Sequence, residues 1–167
     1  MSLKQITRIS ILAALAFVLR LTFSHLPNIQ PVTAMFLVLA ILSSYYEAIL
    51  VMSVCMLTSS FLLGFGPWVF WQITTFSFIL FLWHYVLYPL SKKMGKKAML
   101  FQCFFAALLA LIYGIIIDSF FTIIYQMPWW SYILSGMPFN IMHAFSTLLF
   151  YPIFIIIFRR FAHGKLF

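Results

Sequence analysis

Nine of the ten lysines and arginines in this chain fall in three basic clusters, and the long stretches between them are apolar. Lys4 and Arg8 stand near the start, Lys92, Lys93, Lys96 and Lys97 in the middle, and Arg159, Arg160 and Lys165 near the end. Only 7% of the 167 residues are charged and 65% are hydrophobic, where a soluble domain carries about 25% and about 45–50%. Too little polar surface remains to cover a water-soluble core. The backbone must then satisfy its own hydrogen bonds within each apolar run, which is what a helix does. The sequence therefore predicts an all-α integral membrane protein, a single domain over residues 1–167. Because apolar runs recur to the last cluster, the first is read as a permanent span and not a cleaved leader.

About 20 apolar residues cross the hydrocarbon core. The runs predict a compact bundle of six transmembrane helices, at Ile9–Ser24, Val32–Ser44, Ala48–Leu63, Ile73–Leu90, Met99–Tyr125 and Pro138–Phe158. The second and third are short, which leaves room for tilt or a partly re-entrant segment. Six spans put both termini on one side, and all three basic clusters fall there. By the positive-inside rule the N and C termini are expected to be cytoplasmic. The segments His25–Pro31, Gly64–Gln72 and Gln126–Gly136 fall on the outer side, and none contains Lys, Arg, Asp or Glu. The second of these packs two glycines, a proline, two tryptophans and a glutamine together, and is expected to be broken backbone lining a cavity.

Ionisable residues inside a membrane are costly and mark either a buried pair or a site. Arg20 lies about 18 Å along the helix from Arg8, and Asp118 about 30 Å from Ala98, so both approach the outer side. They are read either as a structural ion pair between the first and fifth helices or as contacts to a polar ligand. Asn140 and His143, three apart on one helical face, are read as an interhelical hydrogen-bonding pair or as part of the same site. Asn28, Gln30 and Gln72 add amides at the outer side, and Trp68, Trp71, Trp129 and Trp130 add indoles. Tryptophan anchors helices at both interfaces, so an outer excess points instead to an outward pocket roofed by these segments. Glu47, on the inner side, is expected to be a solvated turn residue or a contact for a cytoplasmic partner.

Several chemistries are excluded by the residues present. There is no G-x-x-x-x-G-K-[ST] loop for ATP and no H-E-x-x-H. With two acids in all, no carboxylate pair is available for hydrolysis. The four histidines are dispersed, and Cys55 and Cys103 sit singly in apolar runs, so neither a metal centre nor a disulfide frame is expected. A non-enzymatic binding protein, with no catalytic residues and no catalytic cofactor, fits best.

Three motifs carry a family resemblance. They are Leu26-Pro27-Asn28-Ile29-Gln30-Pro31-Val32-Thr33-Ala34, Gly64-Phe65-Gly66-Pro67-Trp68 with Trp71-Gln72, and Gly136-Met137-Pro138-Phe139-Asn140-Ile141-Met142-His143-Ala144. In this order the chain resembles the substrate-binding S components of energy-coupling factor (ECF) vitamin importers. The resemblance implies a six-helix subunit of an ABC-type importer in the bacterial plasma membrane. It would capture a vitamin from outside and deliver it inward with a transmembrane scaffold subunit and two cytoplasmic ATPases, which supply the ATP hydrolysis. It further implies a scaffold contact through small residues of the first helix, typically A-x-x-x-A. The nearest in-register pair here is Ser10 and Ala14, with Ala13 and Ala16 beside them. The G-P-W-x-x-W-Q loop resembles the cobalamin-linked subgroup, so cobalamin is the first expected ligand. Riboflavin, pyridoxine or a queuosine precursor are the alternatives. A rival of another class is a cell-shape scaffold resembling the MreD family.

Overall fold

The computed structural model describes residues 1–163, with side chains described through Arg160; Lys165 of the third basic cluster lies outside the described residues. Each expected span is a helix. These are α1 (Leu3–Thr22), α2 (Val32–Leu42), α3 (Tyr45–Leu63), α4 (Trp68–Lys92, passing through a π-helical turn at Trp83–Leu87), α5 (Ala98–Tyr125) and α6 (Trp129–His163). Five are long and apolar enough to cross a membrane; α2 is not. At 1.5 Å per residue its helix is about 16 Å long, roughly half the hydrocarbon thickness.

The short helix is the centre of the bundle. Val32 through Ala40 are all buried, as expected of a helix that is apolar on every side. It packs chiefly on α3 and α6 and touches every other helix. In its last turn the Ala40 carbonyl needs a partner, and the π-helical turn of α4, which also reaches the Leu37 carbonyl farther in, provides it. Trp83 Nε1 donates to the Leu37 carbonyl at 2.9 Å, and His84 Nδ1 lies against the Ala40 carbonyl. Around this core α1 packs mainly on α3, α3 on α4, α4 on α5, and α5 pairs with α6 along most of its length.

The helix ends follow from local chemistry. Ser2 and Gln5 form a reciprocal capping box that starts α1, six residues before the first expected apolar position. Ser44 accepts from the Glu47 amide and caps α3. Gly64 ends α3 at φ 109°, a backbone conformation that L side chains rarely adopt.

Two outer segments expected as loops are largely helical. Trp68–Gln72 belongs to α4 and Trp129–Gly136 to α6. The reason is proline placement: Pro67 and Pro128 stand immediately before the first helical residue, where a missing N–H costs nothing and a fixed φ favours the first turn. The broken backbone is thus limited to Gly64–Pro67 and Gln126–Pro128.

Glu47 departs from expectation as well. It is ion-paired with Arg8 and accepts from the Ser43 hydroxyl, with its side chain only 13% exposed. A carboxylate in the first turn of α3 with a cation one helix away is drawn into the bundle instead of into water. The pair ties the starting end of α1 to α3.

A candidate small-molecule site at one end of the bundle

The cavity lies at the end of the bundle away from the basic clusters. Arg20 and Arg8 sit towards opposite ends of α1, Gln72 and Lys92 towards opposite ends of α4, and Asn140 and Arg159 far apart on α6. The α1–α2 loop, the start of α4, the second half of α5 and the first half of α6 enclose a cleft of about 410 Å³. That size falls in the lower part of the range for drug-sized ligands, about 300–1,000 Å³.

Arg20, Asn28, Gln30, Gln72, Asp118, Asn140 and His143 all line this cleft, as the sequence suggested. Arg20 is only 8% exposed. One of its terminal nitrogens lies 2.6 Å from Met56 Sδ and 2.9 Å from Ser59 Oγ, both on α3. Its Nε is buried without a partner, and so is Gln72 Oε1. Asn28 adopts a left-handed backbone (φ 57°) and donates from Nδ2 to the Phe139 carbonyl at 2.9 Å, which pins the α1–α2 loop onto α6. His143 Nε2 and Thr33 Oγ1 are 2.7 Å apart, joining α6 to the buried α2. Thr33→Val is expected to leave that ring nitrogen unpaired and to cost about 1–3 kcal/mol, read as an earlier thermal transition of the detergent-purified chain.

Arg20 and Asp118 are not paired with each other. Arg20 is held by α3, whereas Asp118 Oδ2 accepts from Asn140 Nδ2 at 2.6 Å. The structural ion-pair reading of these two residues is thereby corrected. A cation and a carboxylate line one cleft, each fixed by its own neighbours. The interhelical reading of Asn140 and His143 does hold, since each bonds to another helix while also lining the cleft.

Two glycines make the Asp118–Asn140 contact possible. A Cβ on Gly114 would overlap the Asn140 amide, and one on Gly136 would overlap the Asp118 carboxylate. Gly114 and Asp118 are four apart on α5, and Gly136 and Asn140 are four apart on α6. Each helix therefore offers a glycine that receives the other's polar side chain.

Trp68, Trp71 and Trp129 do not line the cleft. Trp71 stacks on Phe120 at 4.9 Å, Trp68 lies against Phe121 at 6.5 Å, and Trp129 Nε1 donates to Ser119 Oγ at 3.0 Å. All three indoles thus rest on residues 119–121 of α5, and the glycine–tryptophan segment contributes only Gln72 to the wall. Tyr113, Gly114, Ile117, Tyr132, Ser135, Gly136 and Phe139 also line the cleft and were missed in the sequence. Helical periodicity carried outward from Asp118 and Asn140 reaches Gly114, Gly136 and Tyr132.

Of the small residues expected to meet a scaffold, Ser10 and Ala14 are exposed on one face of α1. Ala13 and Ala16 are not available to a partner, at 3% and 0% exposure. They face α3 and the core, because helical positions three apart share the inward stripe with Ile9, Leu12 and Arg20.

Fold and cleft define a multi-pass helical membrane protein with a polar cleft at one end of its bundle. The family described as "ECF transporter, substrate-specific component" matches over residues 4–156, and the chain belongs to it. No curated protein and no solved structure matches. The chain is a substrate-specific subunit of an ECF importer, a family that works with scaffold and ATPase subunits on a small-molecule substrate. That membership displaces the cell-shape scaffold reading.

Proposed function

We propose that this subunit captures a vitamin or vitamin precursor from outside the bacterial plasma membrane, in the cleft between Arg20 and Asp118. Delivery inward then depends on the scaffold subunit and two ATPases. The observation that carries this is the cleft itself, where a buried arginine, a carboxylate and the amides Asn28, Gln30, Gln72 and Asn140 converge. A few convergent polar groups in a concave site are what orients a small molecule. The basic clusters at the opposite end support cytoplasmic termini and an outward-facing cleft.

Among the expected ligands, a cleft of about 410 Å³ favours riboflavin, pyridoxine or a queuosine precursor over cobalamin. A corrinoid would leave most of its surface outside, whereas such sites bury about 70–90% of a ligand. The exposed Ser10 and Ala14 are the proposed scaffold contact on α1. The test is uptake into proteoliposomes. Labelled riboflavin, pyridoxine, queuosine precursor and cobalamin are supplied to liposomes holding this chain, the scaffold and both ATPases, with ATP enclosed. Accumulation of one of them that requires every subunit supports the proposal. Equal uptake without this chain, or without ATP, contradicts it.

A further inference from the structure

At the end of the bundle opposite the cleft, cations from three helices gather on one side, and the chain holds no acid to answer them. Lys92 and Lys93 stand at the end of α4, Lys96 and Lys97 form the turn into α5, and Arg159 and Arg160 lie near the end of α6; all six are exposed. The three helices meet just inside that end. Trp83 of α4 packs edge-on against Tyr151 of α6 with ring centroids 5.5 Å apart, and the Tyr151 hydroxyl donates to Gln102 of α5 at 3.2 Å. Gln102 lies roughly one and a half turns from Lys97, and Tyr151 about two turns from Arg159. Two clusters distant in sequence thus form one patch. Of the two acids in the chain, Asp118 lines the cleft at the far end and Glu47 is ion-paired with Arg8 beside α1. Cations gathered without counter-charge repel one another, and an anion from outside the chain relieves that cost.

We propose that this patch seats an anionic phospholipid of the adjoining leaflet, its phosphate on the lysines and an acyl chain along α5. Such a seat is independent of what the cleft binds. The apolar half of the match continues directly from the charge. Leu100, Phe104 and Leu108 lie three, seven and eleven residues after Lys97, on one face of α5. They are 70%, 57% and 37% exposed. A soluble anion or an acidic protein would engage the cations and leave that track unused. A phospholipid meets both, in the order in which a bilayer presents headgroup and hydrocarbon. Lys92 Nζ lies 4.7 Å from the centroid of the Tyr88 ring, which holds the ammonium beside apolar surface while its charge stays at headgroup level. The first basic cluster does not join the patch. It belongs to α1, which packs on α3 and α2, and its Arg8 already has a carboxylate. The lipid seat is therefore on the side of α4, α5 and α6, and it leaves the exposed Ser10 and Ala14 of α1 uncovered.

The test is native mass spectrometry of the purified full chain, titrated with phosphatidylglycerol or with phosphatidylcholine of the same acyl chains. The anionic lipid is expected to bind about tenfold or more tightly, the scale set by a few basic side chains at an anionic headgroup layer. The quadruple variant Lys92→Gln, Lys93→Gln, Lys96→Gln, Lys97→Gln should bring the two lipids to within about twofold of each other. Arginine at the same four positions should keep the preference, and so should Lys4→Gln, which removes a cation outside the patch. The four lysines are exposed, so the bundle should fold without them. Equal binding of the two lipids by the wild-type chain would overturn the proposal with no variant needed. A preference that inorganic phosphate abolishes would overturn it too, by reducing the patch to a site for a free anion. A preference that survives the quadruple variant, with co-purification of the ATPase subunits lost instead, would assign the lysines to a protein partner and not to lipid.

Discussion

Asp118→Ala or Arg20→Ala is expected to reduce affinity for the tightest-binding small molecule by about 10- to 100-fold, since hydrogen bonds to charged groups contribute about 1.5–3 kcal/mol. Calorimetry on the purified variants reads this directly. The two losses have different origins. Arg20 is held from α3 by Met56 and Ser59 and lines the cleft. Its removal takes away a preorganised donor. Asp118 is fixed by Asn140, so its removal also releases the Asn140 amide. Neither residue supports the fold through an ion pair with the other, so the folded bundle should persist in both variants. Wild-type affinity in either would remove that residue from the site.

Gly136→Val should match the Asp118→Ala loss although the valine brings no charge change. A Cβ at position 136 occupies the space of the Asp118 carboxylate, and the side chain must rotate away from Asn140. The acid would still be present but no longer presented to the cleft. Residues acting as one unit are non-additive. The double variant Gly136→Val with Asp118→Ala should therefore bind no more weakly than Asp118→Ala alone. A further drop of similar size in the double variant would show that Gly136 contributes through separate packing and not through placement of the acid.

How far the sequence could be read depended on the kind of signal. The existence of the five long helices was legible because apolar length is a direct requirement of the bilayer, whereas the first turns of α4 and α6, Trp68–Gln72 and Trp129–Gly136, were expected as loops. The burial of α2 was less so, since an apolar run of its length suits a short span and a core helix equally. Arg20, Asp118, Asn140 and His143 stood out because intramembrane polarity is rare. Their partners did not. Opposite charge and equal depth suggested an ion pair, but rotation around α1 and α5 decides contact, and α3 offered Ser59 and Met56 to Arg20 first. The tryptophans misled for a related reason. Composition places an indole near the outer end, whereas only the packed helices show which surface it rests on, here residues 119–121 of α5. Gly114 carried no visible signal and Gly136 only its place in a motif, because an absent side chain matters only once the crossing helix is in place.

The central claim is that the cleft between Arg20 and Asp118 holds the substrate. Native mass spectrometry of the chain, purified from cells in a mild detergent, tests it most directly. The wild-type chain should carry a small molecule at stoichiometric occupancy, and the Arg20→Gln, Asp118→Asn double variant should emerge folded and empty. The same molecule retained at equal occupancy by the double variant would place the binding site elsewhere and contradict the account.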